Sequence, residues 1–366
     1  SPHSQYAHPV PFFDPETNEK LVFVTPGPYK EDQVFYKNNE IQTYSTVLMD
    51  SFYYTFYNDC HLAVFDNSHI AKFTRYVRDD VTVNSQLAFK NSDSSVPSYT
   101  FEDSSHFSSL AIAENNIAAL GKNESWIMYR GTVYDEELIP FSIDSDTVLG
   151  PIFVDLDRDD SYEAVVTADQ WVQVYDTEGN MDTASLSGNP IGSPVAADID
   201  GDGYPEVIQC TEQHIFAFGA NAVIAPGFPF SLPPGDNNEK ITSPPVIADV
   251  DDDGNVDIIC ATSTGRLLAF DPVGLIADGF PITTIGSVTS SPCVFQLSSA
   301  GDLGIAYLTT DGFLMAHDIG SVLSDDTLAP WPMWKGGPGL EGSLLNENLT
   351  HEPETDTEFK AFCYPN

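Results

Sequence analysis

A chain of 366 residues with 14 basic against 55 acidic side chains carries a formal net charge of −41, and repulsion on that scale excludes recognition of nucleic acid or an anionic membrane through a basic patch. Hydrophobic residues make up 42% and aromatics 12%, enough to bury a large core and to exclude disorder outside the ends. No apolar run approaches the roughly 20 residues of a membrane helix, and five cysteines are too few for a disulfide scaffold.

The chain starts SPHSQY, without a basic leader or an apolar segment, which reads as a signal already removed or as a fragment. HPVPFFDPETNEKLVFVT from His8 sets a proline lead-in, an acidic turn and a β run in order. Two fainter units of this kind are read at STVLMDSFYYTFYNDCHLAVFD from Ser45 and FSSLAIAENNIAALGKNESWIMYRG from Phe107. The most helical stretch, Ser108 to Leu120, reads equally well as two strands.

Three loops follow with acidic residues on alternate positions: DLDRDDSYE from Asp155, DIDGDGYPE from Asp198 and DVDDDGNVD from Asp249. A tight loop points every other side chain inward, and calcium takes six to eight hard oxygen ligands. In the second copy Asp198, Asp200 and Asp202 supply carboxylates, Gly203 permits the bend, Tyr204 offers its carbonyl and Glu206 closes the cage. The third has Asp249, Asp251, Asp253, the Asn255 carbonyl and Asp257 in these places. The first has Asp155, Asp157, Asp159, Ser161 and Glu163, but Asp160 stands where the others have glycine, so its loop is expected to be strained or weaker.

An EF-hand would need glutamate at the twelfth position and a helix on each side. Those positions hold Val166, Gln209 and Cys260, and the runs after the loops (AVVTA, VIQCT, DIICAT) are β-type. Each loop lies between a proline lead-in (GPIFVD, SPVAAD, SPPVIAD) and a second apolar strand (WVQVYD, HIFAFG, RLLAFD). The first aspartates are 43 and 51 residues apart, a period that signals propellers or solenoids. A fourth copy, from SPCVFQL, keeps the strands but has Gln296, Ser298 and Ala300 in the carboxylate places, and is expected to bind no metal. IPFSI at Ile139, GFPFSL at Gly227, GFPIT at Gly279 and WPMW at Trp331 are read as outer strands that bridge consecutive units. With the upstream units the count is seven, or about 52 residues each, with six or eight as alternatives.

The three complete units resemble FG-GAP or VCBS repeats, the blades of integrin α-like propellers in secreted and surface proteins. The match is specific from Gly150 to Asp271, holds in outline to His317 and is weak before Gly150. The resemblance implies an all-β β-propeller of four-stranded antiparallel sheets over 1–343, with degenerate blades over 8–149, and calcium in each of the three loops. WPMWKGGPGLEGS resembles the closing segment of bacterial propellers, and the final KAFCYPN resembles the start of a sorting domain of type IX secretion substrates. Residues 344–366 read as an acidic linker or tail.

Calcium loops suit the millimolar ion level outside cells, so the expected setting is extracellular or the cell surface, and scarce lysine suits high ionic strength. Cys210 and Cys260 read as buried thiols and Cys363 as free to pair with another chain. Asn123 and Asn348 sit in glycosylation sequons. There is no HExxH, GxSxG, P-loop or GxGxxG, and the histidines, His214 and His317 included, lack ligand spacing. The expected function is a noncatalytic adhesion, assembly or binding module with protein or glycan partners and possible self-assembly. A carbohydrate-binding propeller and a polysaccharide-active enzyme are the alternatives.

Overall fold

The computed structural model describes residues 148–344, except 234–237, 289, 298–300, 323–325 and 338–341, and upstream of these the backbone of twelve strands. The chain divides into two compact units, Ser1–Asp146 with Pro338–Glu341, and Thr147–Gly337 with Gly342–Asn366.

In the first unit the strands form three four-stranded antiparallel sheets. The first holds β1 (Val10–Phe13), β2 (Lys20–Val24), β3 (Asp32–Lys37) and β4 (Glu40–Ser45). The second holds β5 (His61–Phe65), β6 (His69–Arg78), β7 (Val81–Lys90) and β8 (Ser98–Phe101). The third holds β9 (His106–Ala113), β10 (Asn116–Lys122), β11 (Ser125–Arg130) and β12 (Glu137–Ser142). The stretch from Ser108 to Leu120 thus folds within β9 and β10, which pair as a hairpin with Ala113 opposite Asn116. Of the unit read from Ser45, Ser45 itself ends β4 and HLAVF forms β5, while residues 46–60 lie outside the described residues.

In the second unit each repeat is a meander. The first sheet holds β13 (Val148–Val154), β14 (Glu163–Ala168), β15 (Trp171–Tyr175) and β16 (Met181–Ser185). The second holds β17 (Val195–Ala197), β18 (Glu206–Cys210), β19 (His214–Phe218) and β20 (Phe230–Ser231). The third holds β21 (Val246–Ala248), β22 (Asp257–Ala261), β23 (Arg266–Phe270) and β24 (Ile282–Thr283). The fourth stops at three: β25 (Cys293–Gln296), β26 (Asp302–Leu308) and β27 (Leu314–Val322).

β18 and β22 are buried at every residue, which explains why their sequences lack the apolar–polar alternation of a half-exposed strand: both faces are covered by neighbouring sheets, and the buried Gln209 of β18 accepts the Thr167 hydroxyl at 2.7 Å. One core joins Ile152 and Val165 of the first sheet to Ile208 of the second and Ile258 of the third. Another joins Ile259 of the third to Val294 and Ile305 of the fourth. Cys210 and Cys260 lie in the first of these cores with no exposed surface, as the sequence predicts, and the Cys260 thiol beside it and burial push the Cys210 thiol up. Cys363 lies outside the described residues. The lead-ins pack tightly, and a Cβ on Gly192, itself at φ 65°, would stand 2.2 Å from the Pro244 ring.

The segment after β27 departs from its expected role. IPFSI, GFPFSL and GFPIT supply the outer strands β12, β20 and β24, but WPMW does not. The Ile247 N–H of β21 donates to the Trp331 carbonyl at 2.8 Å, the Val294 N–H of β25 to the Pro332 carbonyl at 2.8 Å, and the Phe153 N–H of β13 to the Gly342 carbonyl at 2.9 Å. Beyond these, β28 (Ser343–Leu344) runs parallel to β13. The segment therefore ties together the first strands of three sheets. Trp331, 1% exposed, explains the routing, because an outer strand has no core in which to bury an indole. Lys335 is carried inside with it and donates from Nζ to the Pro151 carbonyl at 2.8 Å, while burial pulls its ammonium down to about 7.

Candidate metal centres

Each acidic loop joins the first strand of a sheet to the second, and its backbone is wound around its own first aspartate. Asp155 accepts the N–H groups of Asp159 and Asp160, at 3.1 and 3.0 Å. Asp198 accepts those of Gly201 at 2.8 Å, Asp202 at 3.2 Å and Gly203 at 2.9 Å. Asp249 accepts those of Asp252 at 2.8 Å and Gly254 at 3.0 Å. The winding needs left-handed backbone at the fourth and sixth positions: Gly201 and Gly203 in the second loop, Asp252 and Gly254 in the third, Arg158 and Asp160 in the first.

This is where the first loop is strained. Asp160 takes φ 66° where Gly203 and Gly254 take 90° and 87°, and a Cβ makes that region costly. No atom lies within 4 Å of a Cβ built on either glycine, so the cost at Asp160 is conformational, not steric crowding by neighbours. Asp160→Gly is expected to stabilise the chain by about 1 kcal/mol, read from urea denaturation midpoints in calcium. A loss of stability would show that the Asp160 side chain itself is needed.

The ninth position returns to the loop. Glu163 accepts the Leu156 N–H at 2.7 Å, Glu206 the Ile199 N–H at 3.0 Å and Asp257 the Val250 N–H at 3.0 Å. One carboxylate oxygen is thereby used and the group is aimed inward. Three equivalent clusters result: Asp155, Asp157 and Glu163; Asp198, Asp200 and Glu206; Asp249, Asp251 and Asp257, each with a ligand atom within 4.8 Å of the others.

The fifth-position carboxylates that the sequence places in the cage stand outside these groups. Asp159, Asp202 and Asp253 each accept the N–H two residues on, from Ser161, Tyr204 and Asn255, all at 2.8 Å. Those bonds turn the chain at the seventh position, whose carbonyls the sequence reading assigns to metal.

The electrostatics fit a hard cation. Burial pushes Glu163 and Glu206 up to about 8 and Asp257 up to about 7, the other loop aspartates raise each further, and a single backbone N–H opposes the rise. Burial likewise raises Asp198. Asp251 Oδ1 is buried without a partner, while its Oδ2 accepts the Asp278 N–H at 2.9 Å. Crowded carboxylates with an orphaned oxygen repel one another unless a positive charge lies between them.

Two features escaped the sequence reading. Arg158 Nη1 donates to the Gly203 carbonyl at 2.6 Å and so joins the first loop to the second. Buried Glu239, in the connection before the third sheet, pairs with Arg266 at the start of β23. Burial opposes its charge, but Arg266, Thr262 and Thr264 hold its carboxyl down at about 2. Neither pair has local spacing that would reveal it.

In the fourth unit Gln296 lies on β25, whereas Ser298 and Ala300 are outside the described residues. His214 and His317 are half-buried strand residues of β19 and β27, and His317 Nε2 lies 2.8 Å from the Tyr307 hydroxyl. Among the described residues no helix is long and apolar enough to cross a membrane.

The chain is similar to Sqt1 of Saccharomyces cerevisiae, at 10% identity over 87% of this chain and 85% of that one, with a TM-score of 0.57. It is similar to a chain of a mitotic checkpoint complex at 10% identity over 85% and 89%, with a TM-score of 0.50. A third likeness, to BBS1N in complex with ARL6DN, is 11% identical over 85% and 91%, with a TM-score of 0.48. At such identity the first two likenesses show the fold alone, an all-β arrangement of antiparallel, mostly four-stranded sheets of the β-propeller kind. No protein-family model matches the chain, and no curated protein does.

Proposed function

We propose that this chain is a calcium-stabilised β-propeller of seven blades, of the FG-GAP or VCBS type, that serves as a noncatalytic binding or assembly module for protein partners outside the cell. The three matching carboxylate clusters on equivalent loops of consecutive sheets carry the reading. Carboxylate and carbonyl oxygens without imidazole or thiolate suit calcium rather than a transition metal. The seven sheets of the described strands support the blade number. Calcium would be held by Asp155, Asp157 and Glu163, by Asp198, Asp200 and Glu206, and by Asp249, Asp251 and Asp257, with Asp159, Asp202, Asp253 and the carbonyls of Ser161, Tyr204 and Asn255 completing each shell. When bound it would neutralise the loop carboxylates. The role is structural, and the strong carboxylates of these loops are thereby committed to folding and not to catalysis.

Elemental analysis of the chain after equilibration in millimolar calcium and gel filtration should find three equivalents. The double variant Asp200→Asn, Glu206→Gln should lose one. No bound calcium, or a stoichiometry that ignores this variant, would refute the assignment.

A further inference from the structure

The four sheets of the second unit differ in one respect that bears on what the chain can bind. Three of them end in an outer strand with a shared register. Ser185 lies opposite Trp171, Ser231 opposite His214 and Thr283 opposite Arg266; one step further, Ala184, Phe230 and Ile282 face Val172, Ile215 and Leu267. The next backbone bond also repeats: Leu186 N–H donates to the Gln170 carbonyl at 2.8 Å, Leu232 N–H to Gln213 at 3.1 Å and Thr284 N–H to Gly265 at 2.8 Å.

In the fourth sheet the turn before the third strand is closed by an equivalent backbone bond, over the same span as in the third sheet and one residue longer than in the second. Thr309 N–H donates to the Phe313 carbonyl at 2.9 Å, as Thr211 does to His214 and Thr262 to Arg266, both at 2.8 Å. Phe313 therefore stands in the place of His214 and Arg266, Leu314 in that of Ile215 and Leu267, and Gly312 in that of Gln213 and Gly265. Among the described residues no strand lies outside β27. WPMW, the segment at the outer strand's place in the sequence, is bonded to β21 and β25 instead.

What remains is a nine-residue edge. Because the Phe313 carbonyl faces β26, alternation along an antiparallel strand turns the backbone groups of Gly312, Leu314, Ala316 and Asp318 outward. Phe313 and Leu314 are 58% and 61% exposed at its start. An open edge with apolar side chains is a template for another strand. A second copy is disfavoured as the occupant, since pairing two such edges would bring Asp311 and Asp318 toward their equivalents between chains of charge −41 each.

We propose that the outer edge of β27 is a strand-addition site that accepts an extended, basic peptide segment of a partner protein. The segment places Ser or Thr opposite Phe313 and an apolar residue opposite Leu314. It completes the fourth sheet as GFPFS completes the second.

The test uses the full chain in calcium, a synthetic peptide with GFPFSL between lysine pairs, and hydrogen exchange. The peptide should slow exchange at Leu314, Ala316 and Asp318. Replacing its lysines by glutamates, or scrambling its core, should weaken binding at least tenfold. Ala316→Pro removes one outward N–H on an edge strand, where proline is tolerated, and should weaken binding at least tenfold with the melting curve preserved; Asp318→Lys should weaken the lysine-flanked peptide. Protection elsewhere, unchanged binding by Ala316→Pro, or no binding at millimolar peptide would overturn the proposal. Concentration-dependent protection of β27 without peptide would overturn it in favour of a second copy. Failure of a folded, calcium-loaded chain counts against the edge alone, while failure to load calcium counts against the metal centres.

Discussion

Chelation with EDTA is expected to lower the melting temperature of the calcium-loaded chain by roughly 15–30 °C. Each site filled at one hundred times its Kd adds about 2.7 kcal/mol to the folded state. For three sites this is about 8 kcal/mol, similar to the whole stability of a typical domain, and a unit of this size shifts by about 2–4 °C per kcal/mol.

The effect has a pH signature. In the cation-free chain Glu163, Glu206 and Asp257 titrate above the unfolded values of 4.5 and 3.8, at about 8, about 8 and about 7. The folded state therefore holds protons that the unfolded state has released. The contribution of these groups to stability is fullest below about 4 and is lost as pH rises through 7 to 8. Calcium requires the deprotonated form and displaces those protons, so the gap between loaded and stripped melting temperatures should widen from pH 6 to pH 8 and then level off. Calorimetry with and without EDTA at several pH values measures it. A melting curve unchanged by EDTA at pH 8 would remove calcium from the account.

Trp331→Ala is expected to cost about 3–5 kcal/mol, the range for removing a large buried aromatic side chain. The indole is 1% exposed and packs in the core shared by the first three sheets of its unit. The backbone around it bonds to β21 and β25, so a cavity here weakens the segment that ties three first strands together. Trp331→Phe should cost clearly less. Nε1 has no hydrogen-bond partner, so phenylalanine gives up volume without stranding a polar group. Urea denaturation followed by circular dichroism should rank wild type, Phe and Ala in that order. An alanine variant within about 1 kcal/mol of wild type would show that the segment is dispensable.

Much of the second unit was legible because its signals are local. Glu206-Val-Ile-Gln-Cys210 and Asp257-Ile-Ile-Cys-Ala261 form strands where apolar runs follow acidic turns. The carboxylates at first, third and ninth positions meet because a short loop brings them together once its fourth and sixth positions take left-handed backbone. The strain at Asp160 was legible for the same reason, as a missing glycine at a fixed position. Each fifth-position aspartate also accepts the N–H two residues on, a local bond that the alternation of side chains does not reveal.

The amino-acid sequence by itself determined the β class, the repeat and the three acidic loops, since each is set by contacts within about ten residues. Only the tertiary structure decided that WPMW leaves the outer-strand pattern to bind first strands of other sheets, that Arg158 reaches the second loop, and that among the described residues no strand pairs with the outer side of β27. The physical reason is the same in each case. A backbone hydrogen bond or a buried indole finds its partner wherever the assembled sheets bring a complementary group, and residues such as Phe153 and Gly342, far apart in the chain, carry no spacing that announces the meeting.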